Sequence, residues 1–160
     1  RVGLNGETFL LYKLRTMRTN AEDRGPRFSV SGDPRITLVG RLLRKFRIDE
    51  WPQFWNVLGG DMSIVGPRPE RPEWVDVYRK EINYYDLRHT IKPGITGWAQ
   101  INGRNTISWK QKFELDIWYV DNISFFIDFK IFILTIIKVL KSEGINFNSK
   151  FTSERFNGNN

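Results

Sequence analysis

The amino-acid sequence predicts a mixed α/β domain in which helices dominate and β structure is limited to small hairpins. Apolar residues recur at helical spacing in stretches that begin at good N-cap residues, such as Ser108 and Ser124. Turn dipeptides, Asn5-Gly6, Pro93-Gly94 and Asn102-Gly103, bound apolar runs too short for helices. The chain has 160 residues, 40% of them apolar, enough for one domain with a core. That domain is read as residues 1–146, with a polar tail rich in Asn and Gly over 147–160.

Residues 1–14 predict two short strands around Asn5-Gly6, a dipeptide that tolerates the positive φ of a tight hairpin turn. The chain leaves this hairpin carrying Lys13 and Arg15, and residues 18–32 are a polar loop or lid. Asp33-Pro34 predicts a helix start, acid as N-cap and proline at the first helical position, running to about residue 47. Ile36, Val39, Leu43 and Phe46 fall on one face, read as core, and Arg41, Arg44 and Lys45 on another. Asp49 then reads as the N-cap of a helix in which Trp51, Phe54, Trp55 and Leu58 recur until Gly59-Gly60 breaks it.

Residues 62–65 predict a short strand that ends in Gly66-Pro67-Arg68-Pro69. Pro72 opens a helix to about residue 85, with Trp74, Val77, Tyr78 and Ile82 as its buried stripe. His89 is read as a structural residue at a strand edge. Residues 91–103 form a compact loop around a short strand over 99–101. Ser108 caps a helix over 109–119 with Trp109, Phe113 and Ile117 on one stripe and Asp116 as a supporting group. Ser124 caps the last helix, to about residue 142, whose broad apolar face holds Phe129, Phe132, Ile133, Ile136, Ile137, Val139 and Leu140.

A formal charge of +7 and a pI near 9.8 favour anionic partners: nucleic acid, nucleotide sugars or acidic lipid headgroups. The absence of cysteine excludes disulfides and cysteine-ligated zinc, and a single histidine excludes a multi-histidine metal centre. Carboxylates and arginines are left to do the chemistry. No apolar run reaches the roughly eighteen residues that a membrane-spanning helix needs.

The richest chemistry lies between Arg47 and Glu70. A carboxylate at a helix start is favoured in its ionised form, ready as nucleophile or metal ligand. Two prolines fix the backbone around Arg68, so its guanidinium is aimed with little entropy to lose, which suits phosphate binding.

The segments YKLRTM, GDPRITLVGRLLRKF, IDEWPQFWNVLGGDMSIVGPRPE and IKPGITGWAQINGR, in that order, resemble the bacterial sugar transferase family of polyprenol-phosphate phosphoglycosyl transferases. The resemblance covers about residues 2–146. It implies a monotopic domain on the cytoplasmic face of a bacterial inner membrane, with a hydrophobic segment upstream of Arg1. It also implies that Asp49 attacks the β-phosphate of a UDP-sugar, releases UMP and carries the sugar phosphate to a polyprenol phosphate such as undecaprenyl phosphate. Such a step begins an exopolysaccharide, O-antigen, capsule or glycoprotein glycan. Mg²⁺ is the implied cofactor, with Asp49 and Glu50 as its ligands, and Glu50 either holds the metal or assists proton movement. Arg68, Arg15, Arg88 and Arg104 are the implied substrate cations, and Trp98 either stacks on the uracil or fills the core.

The segment RPERPEWVDVYRKEINYYDLRH resembles exopolysaccharide enzymes, whereas GRNTISWKQKFELDIWYVDNIS and ERFNG resemble glycoprotein enzymes. Galactose, glucose, N-acetylglucosamine and diacetamido sugars therefore stay open, as does self-association. The rival reading is a non-catalytic basic module for an anionic membrane or nucleic acid, with Asp49 only a cap. Against nucleic acid, the aromatics sit at core spacing instead of alternating with Lys and Arg across a sheet.

Overall fold

A computed structural model describes residues 1–141 except 24, 26, 28, 30, 31 and 104–106. Its helices are α1 (Leu38–Lys45), α2 (Gln53–Leu58), α3 (Pro72–Glu81), α4 (Trp98–Asn102), α5 (Trp109–Asp121) and α6 (Phe125–Leu140). Two three-residue strands, β1 (Ser63–Val65) and β2 (Gly94–Thr96), pair in parallel, Ser63 opposite Gly94 and Val65 opposite Thr96. The contact is very close at its end: a Cβ on Gly94 would lie 2.1 Å from the Gly66 nitrogen, which explains the glycine there. Helix dominance with little sheet is as predicted, and among the described residues no helix is long and apolar enough to cross a membrane.

Two cores hold the elements together. In one, Tyr78 of α3 packs on Tyr85, Trp109 and Phe113, with ring centroids 5.0–5.4 Å apart, over Val2 and Val75. In the other, Val65, Ile101, Tyr119 and Ile131 meet beneath the ladder. Helix α5 contributes to both, so it ties the α3 side to the α6 side. Its start is secured by a full capping box between Ser108 and Gln111, and Ser124 accepts from Ile127 N–H to cap α6.

Several expectations need correction. The stretch 33–37 is not helical: the Asp33 carboxylate is held by Arg35, at 2.7 Å to Nη2, and Ile36 bridges to Met17. Thr37 caps α1 instead, accepting from Gly40 N–H at 2.9 Å. Asp49 does not cap a helix; it lies in the 3₁₀ turn Ile48–Glu50, and α2 begins at Gln53 with no side-chain cap. Residues 98–102 are helix α4 and not a strand: Gly97 ends the ladder, Ala99 is buried and Ile101 turns into the second core. His89 closes the 3₁₀ turn Tyr85–His89. The predicted Asn5-Gly6 hairpin is present, with φ of 54° and 78°: Val2 bridges to Thr8, Gly3 N–H donates to the Glu7 carbonyl at 2.8 Å and Phe9 N–H to the Arg1 carbonyl at 2.8 Å.

Apolar side chains of three helices turn outward. On α1 the glycine turns inward: Gly40 lies against the Thr16 backbone and Arg44 Nε donates to Thr16 Oγ1 at 2.8 Å, while of the stripe read as core Ile36 and Leu43 are half-buried and Val39 and Phe46 exposed, as are Leu38 and Leu42. On α2, Gln53 and Asn56 are buried while Phe54, Trp55 and Leu58 face out. On α6, Ile131 is buried, whereas Phe125, Phe126, Phe129 and Leu140 are exposed. On α3 the buried pair is Val75 and Tyr78, and Val77 is half exposed.

Candidate active site

The site is assembled from three turns. Arg47 adopts a left-handed conformation, φ 57°, which stops α1 and turns the chain into Ile48–Glu50. Leu14 N–H donates to the Asp49 carbonyl at 3.0 Å, so the segment carrying Lys13 is fastened to the acidic pair by main chain. The same segment is fastened to α2 by Asn56, which is fully buried. Its Oδ1 accepts from Tyr12 N–H at 3.0 Å and its Nδ2 donates to the Leu10 carbonyl at 2.7 Å.

Asp49 and Glu50 then meet three cations. Lys13 Nζ stands 2.9 Å from Asp49 Oδ2 and 3.7 Å from Glu50 Oε1. Arg68 Nη2 donates to Glu50 Oε1 at 2.5 Å, and Arg47 Nη1 is 3.6 Å from Glu50 Oε2. The side chains of Lys13 and Arg68 are 36% and 35% exposed, against 4% for Asp49 and 12% for Glu50. Cations therefore form the rim and carboxylates the floor, and an incoming anion meets positive charge first. Burial alone would raise the Glu50 carboxyl, but Arg68, Lys13 and Arg47 outweigh it and hold Glu50 well below the ordinary range. Glu50 is ionised throughout the neutral range.

The other residues singled out in the sequence take different places. Arg15 is exposed, two residues beyond Lys13. Arg104 lies outside the described residues. Arg88 is fully buried: it bonds Asp116 Oδ2 at 2.8 Å, the Tyr85 hydroxyl at 3.0 Å and the Arg68 carbonyl at 2.6 Å, so it supports the site from behind. The Trp98 ring packs on Trp118, centroids 4.6 Å apart, with Lys130 Nζ 5.5 Å from its centroid, which gives the indole a packing role. His89 is held by Asp86 at 3.1 Å, and burial and then Arg88 lower it, so it stays neutral near pH 7.

Lys13 and Arg47 join the cluster: the resemblance implies for the segment of Lys13 and Arg15 only a supporting role near the phosphates, and Arg47 is assigned no role. Lys13 carried a signal, since it stands in YKLRTM beside Arg15, but pattern alone does not say which cation of that segment faces the acids.

The family model described as bacterial sugar transferase matches residues 1–142. The chain is 54% identical to the uncharacterized sugar transferase EpsL of Bacillus subtilis, over 99% of this chain and 76% of that one. It is 44% identical to the UDP-N-acetylgalactosamine-undecaprenyl-phosphate N-acetylgalactosaminephosphotransferase of Aeromonas hydrophila, over 90% of this chain and 35% of that one. It is also 44% identical to the UDP-glucose:undecaprenyl-phosphate glucose-1-phosphate transferase of Escherichia coli, over 86% of this chain and 31% of that one. The chain thus spans about a third of the length of the last two relatives.

Proposed function

The chain belongs to the bacterial sugar transferase family, and from that premise we propose that it moves a sugar 1-phosphate from a UDP-sugar to a polyprenol phosphate, releasing UMP. Undecaprenyl phosphate is the proposed acceptor, and the step is the first membrane step of a bacterial glycan. The observation that carries the reading is the shielded Asp49 carboxylate beneath the Lys13 and Arg68 rim.

In the proposed reaction an Asp49 carboxylate oxygen attacks the β-phosphorus of the UDP-sugar. The bond from that phosphorus to the oxygen bridging the two phosphates breaks, and UMP leaves with the electron pair. Asp49 then carries the sugar phosphate until a phosphate oxygen of the polyprenol phosphate attacks the same phosphorus and returns the carboxylate. With UMP leaving as a dianion and the acceptor arriving as one, neither step requires a proton. That fits a Glu50 kept ionised, and its part is to hold Arg68 and neutralising cations in place. Lys13 screens the charge of the diphosphate from the nucleophile.

The two carboxylates converge on one cation, Lys13 Nζ, and their hard oxygens suit Mg²⁺. Asp49 and Glu50 would hold the ion. When bound, it offsets negative charge on the diphosphate and the departing UMP.

The outward apolar faces of α1, α2 and α6, with Arg41, Lys45 and Lys130 exposed on α1 and α6, support a seat on an anionic membrane surface, where the acceptor resides.

The test is a burst experiment with the full-length protein and a panel of UDP-sugars. Without lipid acceptor, up to one equivalent of UMP should appear, with a sugar-phosphate mass adduct on the peptide containing Asp49. An adduct elsewhere removes Asp49 from its role, and no UMP from any UDP-sugar leaves the basic binding module. EDTA should abolish turnover and Mg²⁺ restore it; full activity in EDTA takes the metal out.

A further inference from the structure

The Pro67-Arg68-Pro69 turn has one main-chain donor, on Arg68, because neither proline has an N–H. It is held by its acceptors. The Pro67 carbonyl accepts from Gly94 N–H at 2.9 Å, the Arg68 carbonyl from Arg88 Nη2 at 2.6 Å and the Glu70 carbonyl from Val2 N–H at 3.0 Å. Only the bond to Arg68, the residue whose guanidinium meets Glu50, comes from a side chain.

That side chain is itself fixed on every side. Arg88 Nε and Nη2 bond Asp116 Oδ2 at 3.2 and 2.8 Å, Nη1 donates to the Tyr85 hydroxyl, and the guanidinium lies 5.3 and 5.2 Å from the Tyr85 and Phe113 ring centroids. One turn before Asp116 on the same face of α5, Lys112 pairs with the Glu70 carboxylate. Asp116, through Arg88, and Lys112, through Glu70, thus fix the Arg68 carbonyl and the segment that follows it from one rigid helix.

We infer that Arg88 is a positioning residue for the transfer reaction, acting through the Arg68 backbone with Asp116 of α5 as its anchor. This rests on the reaction proposed above. Burying an ion pair is costly and adds little stability over an apolar filling of the same space, so a function beyond filling the core accounts for its presence. The bond to the Arg68 carbonyl supplies one: it sets where the guanidinium starts. Lysine cannot replace Arg88, since one ammonium cannot serve Asp116, Tyr85 and the Arg68 carbonyl in the geometry of the planar fork.

The deciding experiment is a cycle in the full-length protein: Arg88→Lys, alone and combined with Arg68→Ala. UMP release is the first readout. Misplacing a substrate-binding group by about 1 Å costs on the order of a hundredfold, so Arg88→Lys alone should lower kcat/KM by roughly ten- to a hundredfold. In the Arg68→Ala background the same change should matter by no more than about twofold, because the residue it acts through is gone. Equal losses in both backgrounds would mean that Arg88 only supports the core, and would overturn the inference.

If Arg88→Lys does not fold, Tyr85→Phe, which removes a single hydroxyl partner of Arg88, decides by the same cycle with a smaller loss. The second readout is ¹⁵N relaxation of the Arg68 Nε–H, which needs no turnover: the bond should be rigid in the wild type and loosened by Arg88→Lys or Tyr85→Phe. Unchanged order at Arg68 would sink the positioning role. A wild type that releases no UMP, with Arg68 nevertheless loosened, would instead sink the proposed reaction and leave the bracing intact.

Discussion

Asp49 shows how one residue's role depends on what is brought to it. Its carboxylate is bound to Lys13 rather than to a helix N-terminus, so Asp49→Asn should leave the backbone turn unaltered and cost about 1 kcal/mol or less, since Lys13 is partly exposed. An amide cannot act as the nucleophile, so the folded variant should release no UMP and form no adduct. An Asp49→Asn protein that still forms the adduct would end the assignment. Glu70 offers a pH test. Burial would raise its carboxyl, yet Lys112 and Arg88 hold it down to about 2, from an ordinary 4.5. A depressed acid contributes stability that is complete above 4.5 and is lost as pH falls toward 2. The stability gap between wild type and Glu70→Gln should therefore narrow across that window; a gap constant with pH would mean that Glu70 and Lys112 are not paired.

At the scale of elements, caps and prolines were the legible part of the sequence. Ser108, Ser124 and Pro72 start the helices they were expected to start, because each acts on the backbone within one turn. The acidic pair and the Pro-Arg-Pro turn were legible as chemistry too, and they do meet, through Glu50 and Arg68. What periodicity could not reveal is the side on which a stripe is buried. The stripe of Ile36, Val39, Leu43 and Phe46 marks a helix, but Gly40 decides its seat, since only a glycine lets α1 touch the Thr16 backbone. Asp49 and Asp33 misled as caps for a related reason: a distant cation, Lys13, and a near one, Arg35, compete for each carboxylate. Gly40→Ala tests the seating. A Cβ there would lie 2.0 Å from the Thr16 carbonyl oxygen, so overpacking should cost roughly 2 kcal/mol or more in chemical denaturation, despite the ~1 kcal/mol better helix propensity of alanine. A neutral or stabilising result would show that α1 does not sit on Thr16.

For the whole molecule, two cores share α5 while apolar side chains of α1, α2 and α6 remain outside. A surface of this kind, on a chain of charge +7, should bind anionic vesicles, each well-placed Lys or Arg adding about 1 kcal/mol. Salt should weaken the binding, and Phe126→Ser or Phe129→Ser on α6 should lower it at every ionic strength. Equal binding to neutral and anionic vesicles would remove the electrostatic part.

The staple at Asn56 also puts the site on a timetable. Lys13 emerges from the ribosome early, but its segment has nothing to fasten to until Asn56 has followed, and Arg68 has no brace until Asp116 is made. On a chain that folds as it is made, the nucleophile should therefore acquire its counter-charge while the arm that steadies Glu50 is still loose, with the machinery complete only when α5 docks. Pulse-labelled hydrogen exchange on nascent chains stopped between these points should find the amides of Tyr12 and Leu14 protected first and that of Val2, which closes on Glu70, protected later. Simultaneous protection would mean that the two turns are not built in sequence.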